Sequence, residues 1–296
     1  MAITGRSLND RVFDAINYTL LTLVLLIVAY PLLFVISSSF SDPLAVMGGK
    51  VWMWPVKPNL KAYRMVFRDP DIMTGYKNTL AYTVTGTLLN LAMTTAAAYP
   101  LSRRNLRGKG LITALMAFTM FFSGGLIPTY LVVMKLGLID RFGAMILPNA
   151  VAVMNIVIMR TFFQTSIPYE LEEAAFVDGC TNLGSLWRIV LPLSKPIIAV
   201  MVLFYGVGHW NAFFNGLIYL NSQDKFPLQL IMRGILIQNQ MSQEMVDEIE
   251  DVASRQMMAE GIKYALIIVA SLPVLVLYPL LQKYFVQGVM IGAIKG

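Results

Sequence analysis

Hydrophobic positions in this chain come in long runs rather than in the alternation of a half-buried strand. The first, Ala15–Ser37, holds no charged residue at all. Six runs, at about 15–37, 77–100, 111–134, 143–164, 194–220 and 263–285, reach the roughly 20 residues a helix needs to cross a hydrocarbon core of about 30 Å. The first run exceeds the core of a secretory signal, and no small-residue cleavage pattern follows it, so a retained helix is expected. The third is the weakest, because Ser123-Gly124-Gly125 and Pro128 interrupt its helical pattern. Backbone freed by such a break is tolerated only where it lines a cavity or is buried by protein. Pro31, Pro148, Pro273 and Pro279 predict further kinks or helix ends.

The segments between the runs set the expected orientation. Loop 101–110 carries Arg103, Arg104, Arg107 and Lys109, whereas loop 135–142 carries only Lys135 and Arg141. Basic residues in short loops face the cytoplasm, which places both termini, loop 101–110 and segment 165–192 there. Segments 38–76 and 221–262 then lie outside. In the first, Trp52 and Trp54 beside Pro55 and Pro58 predict a compact loop with interfacial aromatic anchors. In the second, Met245, Ile249, Val252 and Met257 predict the apolar stripe of an amphipathic helix, with Ser242 as its N-cap and Gly261 as its stop.

Composition agrees with a membrane protein. Of 296 residues, 57% are hydrophobic and 14% charged, against roughly 25% charged in soluble domains. The formal charge of +6 would suggest nucleic acid in a soluble protein. Here the basic residues cluster in membrane-flanking loops, so lipid is the expected partner and nucleic acid is not. One Cys and one His leave no disulfide, no zinc site and no histidine cluster for catalysis.

The 165–192 interruption, TSIPYELEEAAFVDGCTNLGSLWRIVLP, predicts a helix-turn-helix elbow outside the bilayer. Pro168 can open the first helix, and Glu170, Glu172 and Glu173 suit its positive end. Ala174 and Ala175 leave little bulk, and Gly179 permits a turn at positive φ. A second helix over about 182–190 runs into Pro192. By itself this elbow could be a passive connector. Its spacing, however, is that of a known motif: Glu173-Ala174-Ala175, three residues, Gly179, nine residues, Ile189, one residue, Leu191-Pro192. It resembles the EAA loop of ABC importer permeases, and within them the carbohydrate-uptake permeases related to the maltose permease pair. Supporting stretches are YPLLFVISSSFS at 30–41, IPTYLVVMKLGLID at 127–140, HWNAFFNGLIYL at 209–220 and YFVQGVMIGAIKG at 284–296. FFSGGLIPTY is similar to the subgroup handling complex oligosaccharides. Cys180 and Trp187 depart from the Ala and Phe common in the family.

The resemblance covers essentially the whole chain and implies an all-α integral membrane fold: six transmembrane helices of the MetI-like permease type with a cytoplasmic EAA coupling helix. It also implies partners: a second homologous permease subunit in a heterodimer, two ATPase subunits and an extracytoplasmic solute-binding protein. This chain would bind no cofactor, ATP and magnesium being used by the ATPases. On that pattern Glu173 orients the elbow through polar contacts, Ala174 and Ala175 permit docking, and Gly179 makes the turn. Asp178 caps or salt-bridges within the elbow, Ile189, Leu191 and Pro192 complete the motif, and the tail after Gln287 reaches the ATPases. The chain itself has no G-x-x-x-x-G-K-[ST] phosphate loop, so its energy comes from elsewhere.

Polar residues within spans are the candidates for a translocation path: Asn155 in the fourth run, His209, Trp210, Asn211 and Asn215 in the fifth, and Tyr130 near the broken third. Amides interleaved with Phe213 and Phe214 suit sugar rings. Hydrogen bonding between helices is the competing role, and for His209 it outweighs a proton relay, since no intramembrane acid accompanies it. The main alternative function, an ion-coupled secondary transporter of a small polar solute, would call for such acids and inverted repeats. A membrane-embedded enzyme would need a set of catalytic groups that the spans do not show. The basic stretch from Lys50 to Arg68 is compatible with an acidic oligosaccharide such as an alginate or pectic fragment.

Overall fold

The computed structural model describes residues 8–244, 262–280 and 282, and every regular element among them is helical. Two compact units divide the chain: 1–69 with 234–270, and 70–233 with 271–296.

In the first unit α1 (Leu8–Phe40) runs unbroken through Pro31, so this proline ends nothing. Its apolar side chains stay exposed along most of its length, as suits a helix whose surroundings are lipid. Only the last turn is buried, at Ser37, Ser38 and Ser39. Ser37 Oγ donates to Met53 O at 2.6 Å, and Val56 N donates to Ser41 Oγ at 3.0 Å. These bonds fold the following segment, with α2 (Pro43–Met47) and α3 (Lys61–Arg68), against the helix end. Trp52 and Trp54 are exposed on it.

The second unit is built on α4 (Pro70–Ser102). It starts at Pro70 rather than at 77, because Pro70 and Asp71 supply a favourable first turn. At 1.5 Å per residue it is roughly 50 Å long. The next runs are not straight spans. In the third, α5 (Lys109–Phe121) and α6 (Leu126–Lys135) meet at 111°, with Gly125 at φ +83° in the corner. The fourth bends by 56° between α7 (Phe142–Ile146), which continues through a 3₁₀ turn at Pro148, and α8 (Val153–Ser166). The elbow follows as α9 (Tyr169–Val177), α10 (Asn182–Ser185), a π-helical turn over 186–190 and α11 (Leu191–Leu193). The fifth run, expected to be continuous over 194–220, is α12 (Lys195–Trp210) and a separate α13 (Phe214–Tyr219). The helix closes at Asn211: its N–H makes the last i→i−4 bond, to Val207 O at 3.1 Å, its side-chain amide donates to the same carbonyl, and Ala212 N turns back to His209 O at 3.2 Å.

Two further helices are α14 (Leu228–Glu244) and α15 (Ile262–Leu280). Ser242 is therefore no N-cap, since it lies inside a helix that already begins after Pro227. Met245, Ile249, Val252, Met257, Gly261 and the tail after Gln287 fall outside the described residues. Pro273 and Pro279 sit within α15.

Within the second unit α4 packs along both α8 and α12. Their shared core includes Ala98, Tyr99, Met159, Phe163, Met201 and Tyr205. Lipid offers apolar side chains nothing worse than the core does, so close fit and polar bonds must hold such helices together. Asn90 Nδ2 donates to Asn149 O at 2.6 Å, at the break before α8, while Asn90 Oδ1 accepts from His209 Nε2 at 2.6 Å. One turn on, the Thr94 and Tyr205 hydroxyls lie 2.6 Å apart.

Candidate functional site

The elbow is built by local rules at its turn. Pro168, extended at ψ 133°, precedes α9, and Glu170 and Glu172 stand in its first turn. The helix ends at Asp178, with Gly179 at φ +78°. Gly179 N donates to Phe176 O at 3.0 Å and Cys180 N to Ala175 O at 2.9 Å, the paired bonds of a Schellman closure. Thr181 then caps the second arm, its Oγ1 accepting from Gly184 N at 3.1 Å. Pro192 has no N–H for Arg188 O and crowds that turn. The π-helical turn immediately before it, with Leu191 N bonded to Leu186 O, widens the backbone to accommodate this.

The two arms face differently. Leu186 and Val190 of the second arm enter the core shared by α4, α8 and α12, with Leu191 packed against it. Ile189 is half-buried and Pro192 exposed. On the first arm Glu172 and Ala175, three residues apart and so on one face, are buried, whereas Glu173, Ala174, Asp178 and Gly179 are exposed. Val177, Leu183 and Trp187 are at least two-thirds exposed as well, giving the elbow an apolar outer surface around its acids.

The buried polar contact of α9 is made by Glu172, whereas Glu173, the acid that the motif singles out, is exposed. Glu172 Oε1 pairs with the Arg103 guanidinium at the end of α4. Burial lowers the Arg103 pKa from its ordinary value, opposed by Tyr99 and Tyr169. A cleft of about 370 Å³ opens beside the pair, lined by Ser102, Arg104, Gln164 and Tyr169 among others. Removing one member of a buried pair leaves an uncompensated charge, commonly at a cost of about 3–5 kcal/mol.

The path candidates do not form one cluster. His209 and Trp210 are buried, His209 bonded to Asn90 and Trp210 edge-on to the Tyr76 ring at 5.5 Å. Asn155 and Asn215 are half-buried. Tyr130, also half-buried, stacks on Tyr219 at 6.2 Å. Asn211 is exposed at the break after α12, where Gln229 Nε2 donates to its Oδ1 at 3.4 Å. Beside it, the exposed Arg233 guanidinium lies 5.7 Å over the Phe213 ring. Gln229 and Arg233 escaped the sequence reading because they lie on α14, which began earlier than expected.

A staple joins two loops of the same unit. Asp140, itself at φ +58°, accepts N–H bonds from Asn221 and Ser222 at 3.0 Å, the Ser222 hydroxyl at 2.6 Å and Lys225 Nζ at 2.7 Å. The Lys225 bond and then the Ser222 and Asn221 bonds hold its carboxyl well below the ordinary carboxylate range. A depressed folded pKa adds stability above the ordinary value of about 4 that is lost as pH falls below it. Protection of the Asn221 and Ser222 amides, their exchange taken relative to the intrinsic rate at each pH, is expected to be high at neutral pH and to fall as pH drops below about 4. In Asp140→Ala that protection should be low at either pH; unchanged protection in that variant would show that the staple does not order the loop.

Residues 1–291 match the family described as the binding-protein-dependent transport system inner membrane component. The chain belongs to that family. It is a transport permease and not an enzyme, as its resemblance to ABC importer permeases implied. The permease is 42% identical to Protein LplC of Bacillus subtilis over 97% of this chain and 96% of that one. It is 41% identical to the polygalacturonan/rhamnogalacturonan transport system permease protein YtcP of the same organism, over 98% and 100%. Among solved structures, a bacterial ABC transporter involved in the import of the acidic polysaccharide alginate has a chain that matches with TM-score 0.85 and 34% identity. That match covers 94% of the permease and 98% of that chain.

Proposed function

We propose that this permease forms, with a second homologous subunit, the translocation path of an ABC importer for acidic oligosaccharides. Two ATPase subunits supply the energy and an extracytoplasmic solute-binding protein delivers the substrate. The chain crosses the inner membrane six times with both termini in the cytoplasm, three of the crossings being bent or broken helices. The elbow lies on the cytoplasmic side, and its exposed Glu173, Ala174, Val177 and Trp187 dock in a cleft of an ATPase.

Support for the substrate class comes from relatives named for pectic and alginate transport and from one observation in this chain. At the break after α12, Asn211, Gln229, Phe213 and Arg233 bring together amide groups, an aromatic face and a cation. An aromatic face stacks on a sugar ring, amides bond its hydroxyls, and a guanidinium pairs with a uronate carboxylate. Reconstituted in liposomes with its partners, the permease should take up short uronate oligomers only when ATP is supplied. Arg233→Ala should reduce that uptake roughly tenfold, the worth of one charge-assisted bond. Uptake driven by an ion gradient without ATP would overturn the importer reading, and equal uptake of neutral oligosaccharides would overturn the acidic one.

A further inference from the structure

The end of α4 grips both arms of the elbow with polar groups. On the first arm the Glu172 carboxylate, 1% exposed, is paired with Arg103. Arg103 is itself fixed: its guanidinium lies 4.6 Å over the Tyr99 ring, and its Nε and Nη2 donate to Ser102 Oγ at 2.9 and 2.7 Å. On the second arm the Tyr99 hydroxyl donates to Asn182 O, the first residue of α10, at 2.9 Å.

A passive connector has no use for a buried carboxylate. An apolar side chain of the same volume would pack there without losing the hydration of a charge. What the ion pair adds is direction and register, because apolar surfaces slide over one another whereas a paired, stacked guanidinium does not.

The far end of α4 is tied as firmly. Asn78 Nδ2 donates to Asp224 O at 2.7 Å, the Tyr82 hydroxyl to Lys225 O at 2.9 Å, and Leu228 N to Thr79 Oγ1 at 2.8 Å. Between its ends α4 is one uninterrupted helix, whereas the chain breaks after α5, before α8 and after α12. An unbroken helix passes a displacement along its whole length; a broken one absorbs it at the break.

We infer that Arg103, Glu172 and Tyr99 form a clasp through which movement of the elbow is passed to α4, and through α4 to segment 224–228. They are positioning residues, distinct from the exposed residues that meet the ATPase. The inference rests on the reading of the elbow as the ATPase-docking element.

The test uses the full complex of both permease subunits, both ATPases and the binding protein. Two variants are compared with the unaltered chain: Glu172→Gln, which removes the charge, and Tyr99→Phe, which keeps the packed ring and loses only the bond to Asn182. Both should retain co-purifying ATPases and unstimulated ATP hydrolysis. Substrate transported per ATP hydrolysed should fall roughly fivefold in Tyr99→Phe, the worth of one hydrogen bond, and roughly tenfold or more in Glu172→Gln. If the unaltered chain retains no ATPases, the docking reading fails and the clasp with it. If ATPases are retained and Tyr99→Phe transports with unchanged stoichiometry, the clasp alone is overturned, whether or not Glu172→Gln assembles.

Discussion

An Ala175→Arg permease is expected to insert into the membrane normally and to give no substrate-stimulated ATP hydrolysis by its partner ATPases. Ala175 is 8% exposed and shares the inward face of α9 with Glu172. An arginine there must bury a second cation on the face that already holds Arg103 against Glu172, or it must lever α9 outward. Burying an unpaired charge costs several kcal/mol, so the helix moves. Gly179→Val should reach the same result by unrelated physics. No atom lies within 4 Å of where its Cβ would sit, so crowding is not the cause. The φ of +78° is: the left-handed region costs an L residue about 1–2 kcal/mol, and a β-branched side chain fits it poorly. The Schellman bonds from Gly179 and Cys180 then give way, and the two arms lose their angle. Ala174→Arg, on the exposed face, leaves the elbow intact and tests the docking surface alone. Normal stimulation in both Ala175→Arg and Gly179→Val would mean that the elbow does not carry the ATPase motion.

The largest loss of folded protein is expected at Gly86. A Cβ there would meet Cε1 and Nε2 of His209 at 2.5 Å, and the ring cannot swing aside without breaking its bond to Asn90 Oδ1. Overpacking of this kind costs about 1–3 kcal/mol for one added methyl group. Gly86→Leu should force α4 and α12 apart and leave little monodisperse protein after detergent extraction. The nearest three atoms all belong to the His209 ring, so Gly86→Ala should cost much less when made in His209→Ala. Denaturation of the two singles and the double measures that coupling. Simple additivity of the two losses would show that the ring is not what excludes a side chain at position 86.

Much of this architecture is legible in the residues. The turn at Gly179 follows from a helix ending before a glycine, and the corner between α5 and α6 from Ser123-Gly124-Gly125. Other signals misled. Pro31 lies within α1 and starts no new element; membrane helices tolerate a proline where neighbouring groups or local adjustment re-satisfy the freed carbonyl. The break after α12 carries no proline, and apolar periodicity does not reveal it; it falls at Asn211, whose side-chain amide bonds back to Val207 O. The stripe after residue 242 suggested a helix start at Ser242, although Pro227 had already placed the start of α14 farther back.

The choice between neighbouring acids shows where the sequence stops. Glu170, Glu172 and Glu173 are alike in composition and all suit the start of α9. Each step along a helix turns the side chain by about 100°. Glu170 and Glu173, three apart, therefore share one face and Glu172 lies on another, and only one of the two faces can meet the end of α4. Which one depends on where Arg103 stands, and that is fixed by the packing of α4 against α8 and α12.

The sequence by itself determined that the chain lives in a membrane, that an elbow interrupts its spans, and that Gly179 turns it. Each of these rests on local composition or local backbone preference, which needs no distant residue. Only the tertiary structure decided that Glu172 rather than Glu173 is buried, that Asn90 reaches both His209 and Asn149, and that Arg233 lies beside Asn211 and Phe213. Those are meetings of side chains from separate helices, and the register that brings them together is set by close packing over the whole unit.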